Sequence, residues 1–147
     1  MPNKTEKQLI GKLGEDIACK YLKSKGFTII NRNYLKKCGE IDIIAQNKGL
    51  IHFIEVKSVS RACPSNYQND LNREIKTKSV SSETNDSYRP EDNLHTWKLE
   101  RLRKTIQLYL AEKYVSSETD WFFDVITVYI DQEKRLSRVN MLENVIL

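Results

Sequence analysis

Glu40, Asp42, Glu55 and Lys57 lie within GEIDIIAQNKGLIHFIEVKS, residues 39–58, a stretch otherwise dense in Ile, Val and Phe. A charge among such neighbours is costly unless it is paired, bound to a metal or in contact with a charged substrate. Strand alternation puts Glu40, Asp42 and Ile44 on one face of the first arm of a hairpin, and Ile51, Phe53, Glu55 and Lys57 on one face of the second. A two-residue turn at Lys48-Gly49, with the glycine at positive φ, pairs Asn47 with Leu50. Asp42 then stands opposite Glu55, and Glu40 opposite Lys57. Like charges directly opposed repel, so the two carboxylates must share a proton or share a cation.

Oxygen ligands on a rigid scaffold suit Mg²⁺ or Mn²⁺, which one or two carboxylates hold together with waters and phosphate oxygens. Lys57 would stand beside the ion, where its ammonium orients an attacking water or neutralises charge building on a phosphate. These parts point to hydrolysis of a phosphodiester. The plainer account is a charged solvent face on a two-sided sheet, and a surface ion pair with Lys57 explains Glu40 equally well.

The elements that must position these groups follow from periodicity. Residues 6–25 carry Leu9, Leu13, Ile17 and Tyr21 at i, i+4 spacing with Ile10, Ala18 and Leu22 beside them, and Gly26 stops the helix. Glu15 falls at the edge of that apolar face, and small Gly11, Gly14 and Ala18 would let the helix close on a sheet and carry Glu15 toward Asp42 and Glu55. An exposed Glu is the alternative. Residues 27–35 read as a first strand ahead of the hairpin. From 58 to 93 no period is sustained, and a mobile insertion is expected. A second helix over about 96–114 turns Leu99, Leu102, Ile106, Tyr109 and Leu110 inward, with Thr96 or Asn93 as N-cap. Strands at 121–131 and 135–147, joined at 132–134, complete the order α-β-β-β-loop-α-β-β. The expectation is an α/β fold in a single domain spanning 1–147, a mixed central sheet flanked by helices.

Composition bounds the setting. The chain has 147 residues and a net charge of +4. Residues 1–37 hold nine Lys or Arg against three acids, a surplus of six that leaves −2 for the rest. A basic front with Lys12, Arg32, Lys36 and Lys37 suits a nucleic-acid backbone, although a solvated lysine-rich face needs no ligand. Lys98, Arg101, Arg103 and Lys104 on the second helix carry the same two readings. No apolar run approaches a membrane span and no secretion signal opens the chain, so a cytoplasmic protein with no membrane contact is expected. Cys19, Cys38 and Cys63 lack metal-site spacing and read as reduced thiols. His52 faces away from the carboxylates, His95 precedes a helix, Asp124 reads as a brace within an apolar strand, and Trp97 and Trp121 read as core or rim.

The motifs G14-E15-x-x-A18 with Leu22 and Gly26, N31-R32-N33-Y34, G39-E40-I41-D42-I43-I44-A45, F53-I54-E55-V56-K57, F123-D124-V125 and E143-N144 resemble the YraN-like family of predicted endonucleases. That family looks like a branch of the PD-(D/E)xK nuclease superfamily, similar to archaeal Holliday junction resolvases. The resemblance implies a restriction-endonuclease-like fold, an active site of Glu15, Asp42, Glu55 and Lys57, and Val56 as a further metal ligand through its carbonyl. It also implies Mg²⁺ or Mn²⁺ as cofactor and DNA as substrate, with branched or otherwise irregular structures as the expected targets. A homodimer is implied by analogy with resolvases that cut two strands. Arg61, four residues beyond Lys57, stands where relatives usually carry a basic residue about two beyond it, and 58–93 is longer than their loop; Arg61 is counted among the backbone-binding residues. A noncatalytic nucleic-acid-binding or adaptor protein on the same fold is the alternative.

Overall fold

The computed structural model describes residues 4–60 and 96–147. The order is α1 (Glu6–Ser24), β1 (Thr28–Lys36), β2 (Gly39–Asn47), β3 (Leu50–Ser60), α2 (Thr96–Glu112), β4 (Trp121–Asp131) and β5 (Leu136–Leu142). One five-stranded sheet runs β1-β2-β3-β4-β5, antiparallel throughout except for the parallel β3–β4 pair. That parallel pair makes the sheet mixed, and its crossover contains α2.

Each helix covers its own face. Ile10, Ala18, Cys19 and Leu22 of α1 pack with Ile43, Ala45, Ile54, Ile126 and Val128, while Leu102, Ile106 and Tyr109 of α2 pack with Ile44, Phe53, Phe123 and Val125. Burying side chains of this size contributes roughly 1.5–3 kcal/mol each before entropy is counted. The start of α1 is fixed by a capping box. Gln8 N donates to the Thr5 hydroxyl at 3.2 Å and Thr5 N donates to Gln8 Oε1 at 2.9 Å. Gly26, at φ 90°, takes the chain out of the helix.

The expected inner face of α1 is corrected by one residue. Leu9 and Leu13 are 54% and 44% exposed, and the buried line is Ile10, Gly14, Ala18 and Leu22. Both lines have helical spacing; what selects the second is Gly14, the residue that sits closest to the sheet. A Cβ there would lie 1.8 Å from the Ser58 hydroxyl and 2.9 Å from Ser58 Cβ. Gly11 makes no such approach, since nothing lies within 4 Å of where its Cβ would be.

The hairpin turn is the one expected, with Lys48 at φ 52° and Gly49 at φ 78°. Strand β3 runs to Ser60, into the stretch read as loop from residue 58, because Val59 and Ser60 pair with Tyr129 and Ile130 of β4. The last strand ends at Leu142 rather than 147, since Asn144 and Val145 donate their N–H groups to Asp124 and to the Phe123 carbonyl. The rest of the expected insertion, with Arg61, Cys63 and His95, lies outside the described residues, and so do the side chains named as caps of α2. Among the described residues no helix is long and apolar enough to cross a membrane.

Candidate active site

The sheet splits at Asp42. Ladder pairing of β2 with β3 ends at Ile43–Ile54, and the β1–β2 ladder passes from Arg32–Ile43 to Tyr34–Ile41, skipping Asn33 and Asp42. Asn33 takes φ 53°, a left-handed conformation that Asn tolerates better than most residues. Side-chain alternation reverses across this gap. Ile43 packs on the α1 side, yet Ile41, two residues away, packs with Tyr34 on the α2 side. Gly39, two residues before Ile41, lies on the same side, with a would-be Cβ 2.9 Å from Thr105 Oγ1 of α2.

This reversal corrects the face assignment. Glu40 does not share a face with Ile44, because the alternation that would place it there reverses between Ile43 and Ile41. Glu40 is paired with Leu35 of β1 rather than with Lys57. Its carboxylate meets Asn33 instead: with the amide oriented to satisfy its neighbours, Asn33 Nδ2 donates to Glu40 Oε1 at 3.1 Å and to Glu15 Oε2 at 3.3 Å. The Glu15–Asn33–Glu40 bridge lies on the α1 side. Glu55 is held from the other side by α2, where Lys98 Nζ stands 2.8 Å from its Oε1.

Asp42 occupies the fork between the two groups. Its Oδ2 accepts the Val56 N–H at 2.8 Å, a bond that takes the place of the missing ladder rung. The expected confrontation with Glu55 is present. Burial, then the Glu55 charge, then Glu15 push the Asp42 carboxyl up to about 8, and only the Val56 N–H pulls the other way. Burial, Glu15 and Glu55 likewise raise Glu40 above the usual carboxylate range. Four acids from α1, β2 and β3 therefore act on one another at the split. The site gathers Glu15, Asp42 and Glu55 as expected and leaves Lys57 exposed at its edge, with no polar partner among the described residues.

The donors are all oxygens, the chemistry of a hard divalent cation. The Glu55 charge bears on Asp42, and a cation between the two carboxylates would relieve the repulsion that raises Asp42. No three His, Cys, Asp or Glu side chains among the described residues are grouped to hold an ion as they stand. Two carboxylates with waters suffice for Mg²⁺, and Glu15, turned to Arg32 at 3.5 Å and to Asn33, fits a water-mediated place. Val56 contributes its N–H to Asp42.

Beside Glu15 opens a groove of about 550 Å³ lined by Lys4, Gly11, Lys12, Arg32 and Asn33. Gly11 belongs to this groove and not to the helix–sheet contact. Of the cations read as backbone-binding, Lys12 and Lys37 are exposed and have no partner among the described residues. Arg32 pairs with Asp16 at 2.9 Å, Lys36 with Glu112 at 3.1 Å, Lys98 with Glu55, and Arg101 donates Nε to the Cys38 carbonyl at 2.9 Å. Two roles are not legible in the sequence. Asn33 was visible only as part of NRNY, and its role depends on a positive φ that spacing does not show; Lys98 was read as a phosphate contact and proves to be the partner of Glu55.

A mixed five-stranded sheet with one helix on each face, in this order, is consistent with a restriction-endonuclease-like α/β fold, here carrying a cluster of carboxylates where the central strands separate. The chain belongs to the uncharacterised protein family UPF0102, whose description matches residues 14–128. It is similar to UPF0102 proteins of Campylobacter jejuni (39% identity over 123 residues, 84% of this chain and 86% of the relative) and Campylobacter lari (36% over 132 residues, 90% and 94%). A UPF0102 protein of Clostridium botulinum is 31% identical over 138 residues, 92% of this chain and 91% of its own length.

Proposed function

We propose that this protein is a metal-dependent endonuclease that hydrolyses phosphodiester bonds of DNA, with branched or otherwise irregular structures as its targets and the cytoplasm as its setting. The observation that carries the reading is Asp42, a carboxyl at a break in the sheet pressed against Glu55 and raised to about 8. Nothing in the fold requires that crowding, and a bound cation relieves it. Asp42 and Glu55 would hold Mg²⁺ or Mn²⁺, with Glu15 reached through water. The ion, when bound, supplies Lewis-acid stabilisation of charge on the phosphate and a more acidic water. Asn33 fixes the Glu15 carboxylate, Lys57 meets the phosphate or the attacking water, and Lys4, Lys12 and Arg32 line the path of the backbone toward Glu15.

A panel of linear, flapped and four-way DNA tests the reading, with Asp42→Ala and Lys57→Ala prepared in parallel. Cutting by the wild type and not by the variants supports it; equal cutting by all three preparations means a contaminant. The second reading, a binder that keeps the fold without turnover, is favoured by the Lys98 ammonium on Glu55, which already balances one of the acids. DNA binding with no cleavage in any metal would select it.

A further inference from the structure

Lys98 and Lys57 have exchanged the places that spacing along the strand assigns them. Lys57 follows Glu55 by two residues, yet makes no polar contact among the described residues, whereas Lys98 reaches from the first turns of α2 to lie 2.8 Å from Glu55 Oε1. The Glu55 side chain is 12% exposed and that of Lys98 36%, so the ammonium comes in from solvent onto a carboxylate that is nearly covered. The contact is made by one flexible arm of four methylenes; the arm can leave without moving the helix, which is anchored separately through Leu102, Ile106 and Tyr109. Of the four acids at the split, Glu15 and Glu40 share Asn33, Asp42 has the Val56 N–H, and Glu55 has Lys98.

We propose that Lys98 is the resident counter-cation of the Asp42–Glu55 pair and that a divalent ion binds by displacing it from Glu55. This rests on the metal-site reading above and adds to it a residue that competes with the ion rather than assisting it. A monovalent ammonium and a divalent ion cannot both sit on the same carboxylate oxygen without mutual repulsion, so every bound ion must first overcome the ion pair. Removing the amine therefore strengthens metal binding, and replacing it by a guanidinium, which holds a carboxylate through two donors, weakens it.

The test is calorimetric titration of the intact protein with MnCl₂ in the absence of DNA. Wild type is compared with Lys98→Ala, Lys98→Arg and, as a control for lost positive charge at a distance, Lys20→Ala on the exposed side of α1. A partly exposed ion pair sets the scale at about a two- to fivefold gain in Mn²⁺ affinity for Lys98→Ala. Lys98→Arg should shift affinity the opposite way, and Lys20→Ala should match wild type. Far-UV circular dichroism confirms that each variant is folded before titration. Equal affinities for all four proteins, a gain shared by Lys20→Ala, or a loss in Lys98→Ala overturns the displacement while leaving the metal site standing. No heat from any of them overturns the metal-site reading and this inference with it.

Discussion

Strand β3 is flanked by two acids that solve the problem of burial in opposite ways. Asp124 on β4 is wholly buried, and each of its oxygens has a donor: His52 Nδ1 is 2.7 Å from Oδ2, and the Asn144 N–H reaches Oδ1 at 2.8 Å. Asp42 on β2 has one backbone N–H and a second carboxylate for company. The first arrangement is complete without any ligand and ties the C-terminal segment to the sheet, as the brace expected from its place in an apolar strand. The second is incomplete. An acid kept under repulsion where the β2–β3 ladder ends is what the proposed metal site would use, since a bound cation relieves the crowding.

The largest effects should come from exchanging these roles. Asp124→Ala strands His52 and the Asn144 N–H and should cost about 2–4 kcal/mol, seen as a melting temperature lower by roughly 5–15 °C, while the protein that remains folded cuts DNA at the wild-type rate. Asp42→Asn should do the reverse, lowering cleavage at least about a hundredfold with the melting temperature unchanged or raised. Loss of cutting in Asp124→Ala at an unchanged melting temperature would erase the contrast between the two acids.

A smaller effect concerns how α1 is seated beside the split. Gly14→Ala drives a methyl into Ser58 and should destabilise by about 1–3 kcal/mol while moving Glu15 away from Asp42. Gly11→Ala, three residues earlier on the same helix, meets nothing and should stabilise by about 0.5–1 kcal/mol. Urea denaturation of the two variants should therefore shift the midpoint in opposite directions.

The pH dependence of the metal-free protein sharpens the comparison further. Folding raises the Asp42 carboxyl to about 8, from roughly 3.9 in the unfolded chain, so the folded state keeps a proton that the unfolded state has released. The Asp42 contribution to stability is fully present below about pH 4 and is lost as pH rises from there through about 8, by at most roughly 1.4 kcal/mol per pH unit. Chemical denaturation at pH 5, 6 and 7 should show that fall, and Asp42→Asn should flatten it.

The same contrast explains what the sequence could and could not say. Turn chemistry at Lys48-Gly49 and the apolar runs were enough to place the hairpin, its register and the approach of Asp42 to Glu55, because two-residue periodicity and a short turn leave little freedom. The family motifs brought Glu15 to the same place. What escaped was whatever depends on a local break or on the third dimension. The reversal at Asn33 and Asp42 put Glu40 beside Glu15 instead of Lys57, since alternation counted from either end assumes an unbroken strand. Leu9 and Leu13 were read as core because the helical period does not say which of two adjacent lines meets the sheet; the clash at Gly14 decides it. No spacing rule links Lys98 to Glu55, 43 residues earlier.

The smallest predicted effect separates two lysines that look alike in sequence. Lys12 lines the groove beside Glu15 and has no partner among the described residues, whereas Lys36 is paired with Glu112, whose carboxylate also accepts the Tyr34 hydroxyl at 2.6 Å. The Tyr34 and Lys36 hydrogen bonds hold Glu112 below the usual carboxylate range, which marks it as an anchored anion rather than a mobile one. A cation committed to an anion inside the protein has less to give a phosphate, because binding DNA would mean leaving Glu112. Each phosphate contact releases counterions and adds about one to the slope of log affinity against log salt. Fluorescence anisotropy with a labelled four-way junction in EDTA, repeated from low to moderate salt, should thus show the slope smaller by about one for Lys12→Ala and unchanged for Lys36→Ala. Equal slopes for the two variants would mean that the groove beside Glu15 is not where the backbone runs, and that the difference between satisfied and unsatisfied charges, sound for the two aspartates, does not extend to the cations around them.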